Sequence, residues 1–395
     1  MNDHYDVIVV GGRCAGAATA MLLARRGLRV LVIEAARQGT DTLSTHALMR
    51  GGVLQLHRWG LLDAVIASGT PAIHATQFSY GDDVETVDIR PGDGISALCA
   101  PRRTVLDALL LDAARAAGAE IRSPARVTRL MTEGGRVRGV EGVTRGAGTR
   151  FRATAQLTIG ADGRGSMVAK AVGAPLRRRG TASGAIVYGY LPGLARDRYH
   201  WTYRPGVTAG VVPTGDGLAC VWAGTSTARF EALRAGGLDA TYRLLLADAA
   251  PDVARSIATT PSAGRLRGFP GAPGYLRSCA GPGWALVGDA AYYKDPITAH
   301  GITDALRDAE LLADAVLAAP HGGRAQLDAT LDYQETRDRL STALFDVTER
   351  IAGYQWSLGE LREHLRVLSD AMRPEVDALL ALDGRDEDSR SLLAG

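Results

Sequence analysis

Lysine is almost missing from this chain. Of its 45 basic residues, all but Lys170 and Lys294 are arginine, a bias that points to a GC-rich genome rather than to a function. Cysteine is also scarce. Cys14, Cys99, Cys220 and Cys279 are scattered with no C-x-x-C, so reduced thiols of a cytoplasmic protein are expected, not a disulfide frame or a zinc site. No constellation with metal-ligand spacing is visible, and no metal is expected. A strong charge of either sign is absent too. The formal net charge is +2, which leaves no basic field for nucleic acid or an anionic membrane. No apolar run reaches membrane-spanning length. The polar residues 1–5 lead straight into a strand pattern, so neither a signal peptide nor an anchor is expected.

What is present begins at once. Residues 5–10, rich in β-branched side chains, read as a buried strand, and Gly11 and Gly12 break it. Residues 14–26 read as a helix with Met21, Leu22 and Leu23 on its apolar face. Gly27 ends that helix, and residues 29–33 form a second buried strand. Such a βαβ unit places free N–H groups and the positive end of a helix dipole where a pyrophosphate can sit. Glu34 closes the second strand about 20 residues after the turn, where an acidic side chain bonds a ribose hydroxyl. Gly11 and Gly16 fill the first and third positions of G-x-G-x-x-G. Arg13 holds the middle one, so a guanidinium replaces the usual bare backbone. An arginine there is tolerated only at negative φ with the stem leaving the turn. The expectation is that it runs along the cofactor crevice toward Arg50 and Arg103.

Further on, residues 47–59 have helical spacing, residues 73–89 alternate like paired strands, and residues 101–118 read as a helix with Arg102 and Arg103 at its start. Residues 120–127, 137–143 and 151–159 read as strands. Between 186 and 225 short alternating strands carry Tyr188, Tyr190, Trp201, Tyr203 and Trp222, and an antiparallel sheet of a second domain is expected there. Residues 230–254, 303–319 and 327–351 read as helices, and the stretch beyond Leu380 as a frayed tail.

Three later stretches join the first: P-R-R-T-V-L-D from Pro101, G-A-D-G-R-G-S from Gly160, and G-D-A-A from Gly288, followed by Pro296, Gly301 and a helix. Four separated motifs in this order resemble the group A FAD-dependent monooxygenases, the p-hydroxybenzoate hydroxylase-like family, which is related to geranylgeranyl reductase-like flavoproteins. The resemblance spans residues 5–351. It implies an α/β fold: a Rossmann-like FAD-binding domain with a glutathione reductase-type βαβ unit, an inserted antiparallel substrate sheet and C-terminal helices. The implied division gives residues 1–75, 98–175 and 278–350 to the FAD-binding domain, 76–97 and 176–277 to the substrate domain, and 351–395 to C-terminal helices and a tail.

The resemblance also implies site residues. Asp289 would bond a ribityl hydroxyl, and the helix starting at Gly301 and Ile302 would face the flavin pyrimidine end. Asp162 and Gly163 would lie near the flavin and the path of NAD(P)H, although Ala169 stands where the family has arginine. Arg103 and Arg50 would contact the cofactor. Val127, through its backbone, and Ala35 would flank the adenosine. Pro296, His46 and His300 are the candidates nearest the chemistry, with structural or solvent-facing roles as the ordinary alternative for each histidine. Cys14, near a helix start, is either a reactive thiol or a small residue packed under the pyrophosphate.

The implied activity is FAD-dependent and uses NAD(P)H and O2. Hydroxylation of a small electron-rich, aromatic substrate would proceed through a flavin C4a-hydroperoxide, in a monomer or homodimer. A reductase or dehydrogenase of geranylgeranyl reductase type is the alternative. A non-catalytic flavin-binding accessory protein is the second alternative. The W-x-W-x-I-P signature of halogenases on this fold is absent.

Overall fold

The computed structural model describes residues 3–393 other than 147, 195 and 196, with side chains from 4 to 382. Two large sheets organise it. In the first, five parallel strands run in the order Trp284–Leu286, Arg150–Gly160, Asp3–Val10, Val30–Ile33, Glu120–Arg122. The strands beside Asp3–Val10 come from residues 30–33 and 150–160, so the chain leaves that first strand on both sides. Open α/β sheets bind ligands at the carboxyl ends of their strands at such a switch point. Val10 pairs with both Ile33 and Gly160 there. All four residues of Val30–Ile33 are buried, as a strand covered on both faces requires. The helix Cys14–Arg25 is largely buried because its alanines let it lie close to the helices Arg103–Ala116 and Gly301–Ala318.

The second sheet has seven strands, in the order Arg267–Phe269, Gly184–Pro192, Leu218–Ser226, Val207–Pro213, Arg198–Arg204, Ala75–Tyr80, Asp83–Asp88. Its two faces separate with period two. Ala185 and Val187 pack under the helix Leu238–Ala249, while Ile186, Tyr188 and Tyr190 join the main core on the cofactor side. The sheet departs from the antiparallel expectation at one pair. Ala75–Tyr80 runs parallel to Arg198–Arg204, because it enters from the first unit rather than by a hairpin.

Three boundaries differ from the sequence reading. The strand expected over 120–127 is interrupted at Ser123-Pro124, where proline removes a ladder donor, and a new strand Ala125–Glu133 pairs with Arg136–Thr144. The helix expected over 230–254 is three short helices; Gly237, at φ +90°, breaks the first from the second. Beyond Leu380 the backbone continues as the helix Leu358–Leu393 instead of a frayed tail, and the side chains after 382 lie outside the described residues. That helix packs on Arg50–Arg58 and on Gly323–Ala352. No helix among the described residues is long and apolar enough to cross a membrane.

Candidate functional site

A crevice of about 640 Å3 opens at the carboxyl ends of the parallel strands and runs between the two sheets. Its first wall is the glycine turn. Gly11 has φ +104°, and a Cβ on it would stand 2.4 Å from the Ala161 carbonyl oxygen. Only glycine fits there. Arg13 takes extended backbone at φ −91° as the residue before the helix, so its side chain can leave the turn. Its guanidinium donates to Asp107 (3.2 Å). Arg103 donates to both oxygens of the same carboxylate (2.9 and 3.0 Å). Arg13 and Arg103, both on the crevice wall, therefore share one acid behind it. The Cys14 thiol donates to Asp107 as well, and burial pushes its pKa up, so it is a packed thiol and not a nucleophile.

Glu34 and Ala35 lie at the far end with Arg126 and Val127. One Glu34 oxygen accepts the Gly12 N–H (2.6 Å) and the other the Ala36 N–H (2.7 Å), which holds the carboxylate at the strand end. Asp162 and Gly163 also line the crevice, but the Asp162 carboxylate is engaged. It accepts from the Ser166 hydroxyl (2.5 Å) and from the N–H groups of Met167 (2.6 Å) and Val168 (3.3 Å), capping a short helix.

Asp289 has a different environment. The turn Gly288–Ala290 is capped by no side chain, and the Asp289 carboxylate bonds no group among the described residues while lining the crevice. Burial raises its pKa, against the pull of Arg164, Arg103 and Lys294. An unpartnered carboxylate in a polar crevice is suited to a ligand hydroxyl. Pro296, Gly301 and Ile302 follow on the same wall, where the eighteen-residue helix Gly301–Ala318 presents its N-terminus.

His46 lies on the crevice with left-handed backbone (φ 70°), an uncommon state for a side chain of this size. Its Nε2 is 2.5 Å from the Tyr190 hydroxyl, and its Nδ1 is buried without a partner. Burial, reinforced by Arg102, Arg103 and Arg267, holds its pKa well below 6.5, so the imidazole is neutral.

Two expected residues lie elsewhere. Arg50 does not reach the crevice; it donates to the carbonyls of Arg90 (2.9 Å) and Gly92 (2.7 Å) and pairs with Asp93, tying its helix to that loop. His300 is buried behind the crevice wall, with Nε2 3.1 Å from Glu375 of the C-terminal helix, and burial lowers its pKa. The ligand atoms of His300, Asp304 and Glu375 lie within 4.8 Å of one another. Lys294 and Arg307 already hold those two carboxylates as ion-pair partners.

Several lining residues lie outside the sequence motifs, although Arg164 falls within one. Arg164 lies over the rings of Phe269 (4.5 Å) and Tyr293 (5.1 Å), and all three line the crevice beside Ile186 and Tyr188. Lys294 and Asp304 line it too. Only the rarity of lysine marked Lys294 in the sequence.

A glycine turn into a helix, an acid closing the next strand and a free carboxylate beside a second helix N-terminus define a dinucleotide-binding flavoprotein of the Rossmann-like class. Residues 4–348 match the family model described as FAD binding domain, and the chain belongs to that family, an FAD-dependent oxidoreductase. The chain is 28% identical to 6-methylpretetramide 4-monooxygenase of Streptomyces rimosus, over 96% of this chain and 89% of that protein. Digeranylgeranylglycerophospholipid reductase of Methanosarcina acetivorans is 25% identical, over 87% of this chain and 82% of the relative. Among solved structures, the flavin-dependent brominase Bmp2 shares the fold at TM-score 0.77 and 18% identity, covering 98% of this chain and all of the other (100%). The probable FAD-dependent monooxygenase PqsL from Pseudomonas aeruginosa does so at TM-score 0.74 and 21% identity, covering 94% and 100%.

Proposed function

We propose that this chain is an NAD(P)H-using FAD monooxygenase that hydroxylates a small, electron-rich aromatic compound. The observation that carries the reading is the facing of the crevice walls. Groups suited to a flavin dinucleotide come from the first sheet and its helices; Ile186, Tyr188 and Phe269 come from the second sheet, and Tyr293 lies under Arg164 with Phe269. Residues 76–97 and 176–277 act as the substrate unit. FAD fits this chain's residues: Gly11 leaves room for the pyrophosphate at the helix start, Glu34 takes the ribose, Val127 and Ala35 flank the adenine, and Asp289 takes a ribityl hydroxyl.

When bound, the flavin supplies the electron transfer and the activation of dioxygen. The protein's residues do the rest. The N-terminus of the helix Gly301–Ala318 favours negative charge at the adjoining wall. Tyr188, Phe269 and Tyr293 orient an aromatic ring and keep water from it. Neutral His46 can donate or accept a hydrogen bond without bringing charge. The 4-monooxygenase relative supports oxygen transfer.

A second reading, a reductase without oxygen transfer, is favoured by the digeranylgeranylglycerophospholipid reductase and by the menaquinone reductase of Mycolicibacterium smegmatis, 29% identical over 80% of this chain and 76% of that protein. The deciding measurement is stopped-flow absorbance of the reduced protein mixed with oxygen. A transient species that is neither reduced nor oxidised flavin supports oxygen transfer, and direct return to oxidised flavin favours reduction. Absence of NAD(P)H oxidation with any electron-rich aromatic acceptor would leave an accessory role.

A further inference from the structure

Lys294 stands on the crevice wall two residues before Pro296, yet its side chain is only 2% exposed. A buried ammonium is costly unless carboxylates surround it. The Nζ of Lys294 donates to Asp304, which also lines the crevice, and lies 4.9 Å from the centre of the Tyr292 ring. Behind Asp304 a closed set of charges continues. Arg307, fully buried, donates to Asp304 (3.1 Å), Asp308 (2.6 Å), Glu375 (2.7 Å) and the Ser341 hydroxyl (2.9 Å). His300 Nε2 lies 3.9 Å from Asp304 and 3.1 Å from Glu375. Facing Lys294 from the packed elements are thus Asp289 and Tyr292 before it, His300, Asp304, Arg307 and Asp308 from the helix Gly301–Ala318, and Glu375 from Leu358–Leu393.

The charges in that set do not balance. Asp304, Asp308 and Glu375 oppose Arg307 and Lys294, so with His300 neutral one negative charge is left over, and the loss of the Lys294 proton would leave two. Arginine cannot release a proton in a protein. Asp304, Asp308 and Glu375 sit against guanidinium or ammonium partners, and His300 lies behind the wall. Within this set the movable proton on the crevice wall is therefore that of Lys294. Burial, with Arg307 beside it, lowers the Lys294 pKa to about 7, against the opposing pull of Glu375, Asp308 and Asp289.

We propose that Lys294 is a redox-linked proton acceptor: it binds a proton when the cofactor in the crevice gains negative charge and releases it when that charge leaves. A hydride donor brings two electrons and one proton and leaves one added negative charge on the cofactor. Lys294, as the free amine, takes one proton from solvent through the crevice mouth and becomes the ammonium. The net charge of the crevice is then unchanged. When the electrons pass to an oxidant, the ammonium returns its proton. Asp304 is the positioning residue, fixing the amine toward the wall. The inference rests on FAD binding alone and not on oxygen transfer.

The chain has only two lysines, so lysine carrying carbon-13 at Cε gives two signals, with exposed Lys170 as the internal reference. The FAD holoenzyme is titrated by NMR, first oxidised and then under dithionite. Lys294 is expected to titrate in the neutral range when oxidised and to hold its proton at least tenfold more tightly when reduced, with Lys170 unmoved. The same midpoint in both states would overturn the proposal, as would a Lys294 signal that stays protonated to the ordinary lysine range in the oxidised protein. As a second arm, the flavin midpoint potential is followed against pH in Lys294→Met and Lys294→Arg. The wild type is expected to show a neutral-range change of slope that both variants lose; a slope identical in all three proteins contradicts the proposal. Neither arm uses substrate, oxygen or nicotinamide, so failure of the monooxygenase reading leaves it standing.

Discussion

Gly16 lies so close to Gly11 that a Cβ on Gly16 would stand 1.9 Å from the Gly11 carbonyl oxygen. The obstacle is backbone and cannot rotate away. Gly16→Ala should displace the turn and weaken FAD binding by more than about tenfold, or about 1.4 kcal/mol. Fluorescence titration of the apoprotein with FAD measures this. An affinity equal to the wild type would mean that the turn is not the pyrophosphate seat.

Glu34→Ala should act by another route. It removes the acceptor of the Gly12 and Ala36 N–H groups as well as any ribose contact. Unsatisfied buried donors cost roughly 1–3 kcal/mol. FAD affinity should fall roughly ten- to a hundredfold with FAD and less with FMN, which lacks the adenosine. Equal losses for both ligands would show that Glu34 supports the turn and not the ribose.

His46 should resist protonation. With burial and three arginines against the imidazolium, nitrogen-15 histidine NMR should show it neutral well below pH 6.5. A His46 signal titrating near 6.5 would remove the electrostatic account of the Tyr190 pair.

Glu375 links pH to folding. Burial alone would raise its pKa, but His300 when charged, Arg307 and Lys294 bring it down to about 2. A depressed carboxyl adds stability that is fully present above the unfolded value of 4.5 and is lost as pH falls through the folded value. Glu375→Gln takes one of three carboxylates from Arg307 and the acceptor of His300. It should cost roughly 1.5–3 kcal/mol at neutral pH, as for a hydrogen bond to a charged group, and the difference should shrink toward pH ~2. Urea midpoints of both proteins across that range give the answer. A gap that does not narrow in acid would mean that the carboxylate charge is not what stabilises this contact.

The first βαβ unit was legible because its signals are local. Apolar runs, a glycine break and an acid at the strand end follow one another within thirty residues, and backbone sterics at Gly11 and Gly16 leave little choice. The second sheet was legible as alternation, but its parallel pair was not, since Ala75–Tyr80 and Arg198–Arg204 are more than a hundred residues apart. Arg50 shows the limit of pattern. Its stretch looks like a cofactor contact, but carbonyls at Arg90 and Gly92 lie within its reach. His300 was visible beside a motif; that it turns away to Glu375 depends on a helix seventy-odd residues later. Lys294 had no local signature, and its importance comes from charges gathered by folding.

The lining of the crevice comes from distant parts of the sequence, with Gly11 among its early residues and Ala305 among its late ones. At ribosomal rates of about 5–20 residues per second, roughly 15–60 s separate the emergence of the glycine turn from that of the helix facing it. Through that interval the seat lacks the wall from Asp289 to the helix Gly301–Ala318, so it is complete only once that helix has emerged.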